Sequence, residues 1–302
     1  MEQLAFHYCS VQTFFEIITK KTLRLSDVVK SNDRLEVMWT KKVLLNMINE
    51  GELSYNYFSQ IIKEQVSIEE YKTKIKEKTE IFFESGELKS KFFAICFSGE
   101  ESEDMLSQWR GYGDDGKGVA IGLSEKILNK TKKRLNLKED KTRITYKKVE
   151  YDTERQKRIL NEFWRKQIKQ ANEDIRNVNI DFEIWLIDSF YKLYAEAIYM
   201  KNSFFKEENE RRIVFENEEN ALHNFRGEEL FNKMHLEEGK IAIRNENLVE
   251  YYDLNISDVI DRLIKKIIIG PKCKLEKEDI QRLLQYNGYK DVEVVWSKGS
   301  YR

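Results

Sequence analysis

The apolar positions of this chain change period repeatedly. Leu4–Cys9 reads as a short strand, and Ser10 is placed to cap a helix over Val11–Lys20, with Phe14, Phe15, Ile17 and Ile18 on one apolar face. Residues 23–27 alternate as a second strand, Asn32-Asp33 marks a turn, and residues 35–49 return to helical spacing. Residues 55–85 are charged and helical, with Gly51 and Gly86 suited to helix ends. The aromatic run 91–97 predicts a buried strand, residues 103–109 a short helix, and residues 118–123 and 142–151 further strands. Residues 152–205 carry two long helical patterns broken near Asn177-Val-Asn179. Strands then follow at 210–216, 240–244, 248–253, 265–269 and 291–296, with a helix at 276–286 before the last.

Strands and helices mix without the regular cadence of a doubly wound fold. No G-x-G-x-x-G turn follows a strand, and no G-x-x-x-x-G-K-[ST] loop occurs. The expectation is a single α+β domain over residues 1–302, built on a split, mostly antiparallel sheet, with a helical insertion at 152–205.

Composition narrows the function classes. With 52 basic and 53 acidic residues the net charge is -1, so no global attraction to nucleic acid or anionic membrane follows. A hydrophobic share of 41%, with 17 Phe, 15 Tyr and 5 Trp, argues for a folded chain. Cys9, Cys96 and Cys273 are far apart and without metal-ligand spacing, which points to a reduced, cytoplasmic setting, and Cys96 is expected to pack inside its apolar run. No basic start with an apolar core is present, nor any run near the ~20 apolar residues needed to cross a bilayer.

Three places carry candidate chemistry. Glu208 and Glu210 stand one residue apart at a strand start, so their carboxylates share a side if that segment is extended. Glycines at 111, 113, 116 and 118 follow Trp109 and Tyr112, which favours a loop that lets a ligand approach. Lysines and arginines outnumber acids from 126 to 148, a stretch able to track a phosphate backbone or to be a solvated face. Asp27, Asp33, Glu36, Glu208 and Glu210 would have to converge for magnesium-dependent hydrolysis. The three histidines, His7, His223 and His235, form no zinc spacing, and no G-x-S-x-G elbow exists.

Many of these elements together resemble the bacterial domain-of-unknown-function family 2971: His7-Tyr8 with Ser10, Thr13 and Phe14; Leu23-Arg-Leu-Ser26-Asp; Asn32-Asp33-Arg-Leu-Glu36; Cys96-Phe-Ser98; Gln108-Trp109-Arg-Gly-Tyr112; Gly116 to Gly122; Glu208-Asn-Glu210-Arg-Arg212; Ile269-Gly-Pro271; and the tail Ser297 to Tyr301-Arg302. The order His7, then Ser26 or Tyr112, then Glu210 also resembles the ADP-ribosyltransferase superfamily. That resemblance implies NAD as substrate. His7 would hydrogen-bond the nicotinamide ribose, Tyr112 would stack on nicotinamide, and Arg110 or Arg212 would pair with the pyrophosphate, with Tyr8, Ser26 and Trp109 completing the NAD-binding set. Glu210 would contact the ribose and stabilise the oxocarbenium-like centre, and Glu208 would orient or deprotonate the acceptor. The acceptor would be nucleic acid or protein, in a toxin or phage-defence setting. A non-catalytic nucleotide- or protein-binding sensor and a metal-dependent nuclease are the alternatives.

Overall fold

The computed structural model describes residues 2–28, 34–52, 57–59, 63–64, 66–84, 92–129, 143–177, 182–217, 229–231, 234–244 and 246–299. The turn at Asn32-Asp33, most of the basic run (130–142), His223 and Tyr301-Arg302 lie outside them.

In chain order the elements are β1 Leu4–Cys9, α1 Val11–Lys20, β2 Thr22–Asp27, α2 Arg34–Asn49, α3 Ile68–Glu84, β3 Phe92–Ser98, α4 Leu106–Gly111, β4 Val119–Ser124, α5 Glu125–Leu128 and β5 Arg143–Lys148. They continue with α6 Thr153–Asn177, α7 Phe182–Ala197, β6 Glu210–Glu216, β7 Glu229–Phe231, β8 Met234–Leu236, β9 Lys240–Arg244, β10 Asn247–Asn255, α8 Ile260–Leu263, β11 Ile264–Ile269, α9 Lys277–Tyr286 and β12 Glu293–Trp296. Local chemistry accounts for the start. Ser10 Oγ accepts from Thr13 N, and Lys21 closes α1 in the left-handed region, its N–H donating to Ile17 O. α4 begins later than the spacing predicts because Asp104, at φ 57°, interrupts the helical path.

Contacts divide the chain into two compact units. One comprises residues 1–31, 91–148 and 207–302 and holds the sheet; the other comprises residues 32–90 and 149–206. The second unit is helical, and the expected 152–205 helices share it with α2 and α3. There α2 packs against α3, α6 and α7, around Phe58, Tyr71, Phe82, Trp164, Trp185 and Phe190, all buried.

The sheet runs β12-β11-β4-β1-β3-β2-β10-β8-β7, with β6 on β3, β5 on β6 and β9 on β10. It is antiparallel except for β11 and β12, which are parallel and joined through α9. One face, bearing Ala5, Cys9, Leu23, Leu25, Phe93, Ile95, Phe97, Val119, Ile121, Ile213 and Phe215, joins Phe14 and Ile18 of α1 and Ile280 and Leu284 of α9 in the main core. A smaller cluster of Phe6, Tyr8, Trp109, Ala120 and Ile268 lies on the opposite face.

β3 is where the sheet parts. One edge of β3 is paired along its whole length with β6. Its other edge is shared: β1 meets it at Phe6 opposite Ser98, and β2 at Ser26 opposite Ala94 and Asp27 opposite Phe93. Between those two contacts lie residues 95–97, so β1 and β2 diverge there. Among the described residues no helix is long and apolar enough to cross a membrane.

Candidate functional site at the parting of the strands

Side chains in a strand alternate between faces, so register decides which candidates can meet. Phe6 is opposite Ser98, and Ser98 is opposite Glu210; these three share one face. Tyr8, Ala94, Cys96, Arg212 and Ser26 follow on that same face by alternation and by the pairs Cys96–Arg212 and Ser26–Ala94. Cys96 is exposed, which corrects the expectation that it packs: the apolar run has two faces, and this one is open at the parting.

His7 starts on the opposite face, with Ala5 and Cys9, and its ring lies edge-on to Phe97. From there Nδ1–H donates to Cys96 O at 3.0 Å, in the stretch of β3 that neither β1 nor β2 pairs. A carbonyl only accepts, so the proton is on Nδ1 and the neutral ring keeps a lone pair on Nε2. Burial pushes the imidazole pKa below its ordinary value, and the bond to Cys96 O offsets this in part.

Glu210 and Arg212 are both buried and bonded to each other twice. Arg212 Nε and Nη2 donate to the two carboxylate oxygens at 2.9 and 2.8 Å. Beside them Ser98 Oγ donates to Gln108 Oε1 at 2.7 Å, again between buried side chains. Removing two charges from water has a large cost that close, forked pairing offsets.

Glu208 does not join Glu210 by strand alternation. It ends a 3-10 stretch, Ser203–Glu208, and Asn209 turns the chain at φ 44° before β6 begins. The expected extended spacing is therefore absent, and Glu208 Oε1 instead accepts from Tyr112 Oη at 3.1 Å. Tyr112 and Arg110 are exposed at the end of α4. Asp27, opposite Phe93, faces the main core side, away from Glu210; Asp33 and the Glu36 side chain lie outside the described residues. Among the described residues no group of three His, Cys, Asp or Glu side chains is arranged to hold a metal ion.

Trp109 is a support for this site. It is 1% exposed, packs edge to face on Tyr8, and donates from Nε1 to Asp104 Oδ1 at 2.8 Å. Two of the glycines after it, Gly113 and Gly118, approach protein. A Cβ on Gly113 would fall 2.6 Å from the Trp109 ring, and one on Gly118 would fall 2.0 Å from Cys9 O. Gly116, at φ 82°, takes a conformation that L side chains rarely adopt. Packing thus accounts for Gly113 and Gly118, while Gly111 and Tyr112 stay open to the surface. The residues that sequence reasoning missed are Ser98, Gln108 and Asp104. Polar residues inside the strand and helix runs were the available signal for the first two; Asp104 had none.

Residues 108–213 match the family model described as Protein of unknown function (DUF2971), a stretch of about a third of the chain. It begins at the buried Gln108 and takes in Tyr112, Glu208, Glu210 and Arg212, while His7 and Tyr8 precede it. Neither curated proteins nor solved structures gave a match to the chain.

Proposed function

We propose that the face at the parting of β1 and β2 binds NAD and that the chain transfers ADP-ribose to a macromolecule, in a bacterial toxin or phage-defence role. The observation that carries this is the buried Glu210–Arg212 pair on the same face as the exposed Cys96 and the half-buried Ser26. Transfer of ADP-ribose develops positive charge at the anomeric carbon, and a carboxylate in a water-poor place stabilises it. A diphosphate matches the guanidinium fork as well as a carboxylate does, so its entry exchanges partners on Arg212 and releases Glu210 toward the ribose. His7 stands on the opposite face, its ring against Phe97, and is not part of this contact set. The exposed Tyr112 ring suits nicotinamide, and Glu208, held by Tyr112 Oη, suits an incoming acceptor.

Nicotinamide release from NAD by the purified chain, with DNA, RNA and protein acceptors in turn, tests the reading. Release should vanish in Glu210→Gln and fall in Tyr112→Phe and Glu208→Gln, whose exposed or half-buried sites leave the fold intact by thermal melting. No release with any acceptor, from protein that melts cooperatively, overturns it. A second reading, a nucleotide-binding sensor without turnover, is favoured by the fact that both oxygens of Glu210 are already engaged by Arg212. It predicts NAD binding by calorimetry with no nicotinamide released.

A further inference from the structure

Ser98 and Gln108 form a buried polar pair beside Glu210. Ser98 is opposite Glu210 across β3 and β6, so the two side chains leave the sheet as neighbours on one face, with Cβ atoms roughly 5 Å apart. The strands are held level at that point by Gly99 N, which donates to Asn209 O at 2.9 Å. Gln108 reaches the same place from α4. Its carbonyl there accepts from Tyr112 N at 2.9 Å, and the next residue, Trp109, packs edge to face on Tyr8.

The direction of the Ser98–Gln108 bond decides what this pair presents. Ser98 Oγ–H donates to Oε1, which fixes the rotation of the carboxamide and turns its Nε2 end away from Ser98. Gln108 is 2% exposed, yet Nε2 makes no hydrogen bond among the described residues. Nor is Nε2 one of the fully enclosed polar atoms without a partner, such as Trp164 Nε1 and Ser189 Oγ in the helical unit, so its N–H groups border open space. A donor held this deep and left unmet has a cost that an acceptor on a ligand removes.

Glu210 offers only acceptors and Gln108 Nε2 only donors. A carboxylate takes about four hydrogen bonds, and Arg212 Nε and Nη2 supply two. The group that satisfies both neighbours donates on one side and accepts on the other. A pair of adjacent sugar hydroxyls does so: one O–H donates to the carboxylate, and the oxygen of the next accepts from the amide.

We infer that Glu210 and Gln108 together read a ribose diol, and that Ser98 is the positioning residue that keeps the donor end of the amide toward the sugar. The inference rests on the NAD reading above, in which Glu210 acts at the anomeric carbon. Glu210 therefore meets the adjacent 2-hydroxyl, and Gln108 Nε2 donates to the 3-hydroxyl. The substrate class is thereby narrowed to nucleotides whose sugar carries both hydroxyls unsubstituted.

Calorimetric titration of the full chain with ADP-ribose, and with its analogues lacking the 2-hydroxyl or the 3-hydroxyl of the terminal ribose, tests this. The native chain should bind each analogue about tenfold more weakly than ADP-ribose. Gln108→Leu should bind ADP-ribose and the 2-deoxy analogue about tenfold more weakly than the native chain does, and the 3-deoxy analogue equally well. Ser98→Ala/Gln108→Leu, which leaves no hydroxyl stranded, should behave alike and stands in if the single variant does not fold. Equal weakening of all three ligands, or a preference for the 3-hydroxyl that survives both variants, would overturn the diol site and leave the NAD reading standing. Binding of neither ADP-ribose nor NAD by protein that melts cooperatively would remove the NAD reading and the diol site with it. The expected preferences in a chain that releases no nicotinamide would keep the diol site and favour the sensor.

Discussion

Tyr8 and Trp109 meet edge to face, with ring centroids 4.8 Å apart and planes at 81°, and each is anchored at its polar end. Tyr8 Oη donates to Ser102 O at 2.9 Å, and Trp109 Nε1 donates to Asp104. The same Asp104 carboxylate accepts from Ser297 Oγ at 2.5 Å and from Lys298 N at 2.6 Å, so one side chain holds the aromatic pair and the segment after β12. Asp104→Ala should lower stability by about 2–4 kcal/mol, because it removes several charged hydrogen bonds and strands a buried indole N–H. Asp104→Asn keeps a residue tolerant of the left-handed backbone and one acceptor, and should cost about half as much. Urea unfolding followed by tryptophan fluorescence measures both.

The two ends of the glycine cluster should respond oppositely to the same substitution. Gly118→Ala drives a methyl against the Cys9 backbone carbonyl, which cannot yield without moving β1, and should cost about 3 kcal/mol or more. Gly111 has open space where its Cβ would stand and ends α4. Gly111→Ala should be neutral or stabilise by up to about 1 kcal/mol. Equal losses in the two variants, read as melting temperature, would show that the loop is not packed as described.

His7 makes a specific contribution to pH dependence. Its folded pKa lies below the ordinary value of about 6.5. The unfolded chain therefore binds the proton more readily, so the contribution is complete above about pH 6.5 and is lost as the pH falls toward the folded pKa. Carboxylates held low by their partners, such as Glu237 beside Lys240 and Glu183 beside Lys74, lose theirs only below about 4.5. In urea titrations, the stability gap between the native chain and His7→Gln should narrow from pH 7.5 to pH 5.5. A constant gap across that interval would mean that the ring is not held neutral.

Breaking the Glu210–Arg212 pair on one side should be worse than removing it whole. Arg212→Met leaves a buried carboxylate without its forked donor and should cost about 3–5 kcal/mol, while Glu210→Leu/Arg212→Met should recover much of that loss. A double-mutant cycle by urea denaturation reads the coupling. Additive losses would show that other groups satisfy each charge independently.

The local elements were largely legible in the sequence. Leu4–Cys9, Val11–Lys20, Glu210–Glu216 and Lys240–Arg244 form over the residues that periodicity and capping indicate, because their signals are contained within the segment itself. The short strands β7 and β8 were not, since three residues carry no period. What decides the candidate site is pairing between distant segments. That Ser98 stands opposite Glu210, and that β1 and β2 divide one edge of β3 between them, depend on register across gaps of about a hundred residues. Spacing also misled at Glu208, where two-residue separation implied a shared face only for an extended chain, and Asn209 turns instead. The glycines of 111–118 were visible as a cluster, but the sequence does not show that Gly118 approaches Cys9 O and Gly113 the Trp109 ring.

The alternation along β6 makes this strand far less tolerant of changes in length than of changes in identity. One residue inserted or deleted between Asn209 and Ile213 would put side chains now buried against Phe97 where Glu210 and Arg212 stand, and would exchange both faces at once. Functional descendants of this chain should therefore differ in β6 by substitution, with gains and losses of residues confined to the segments on either side.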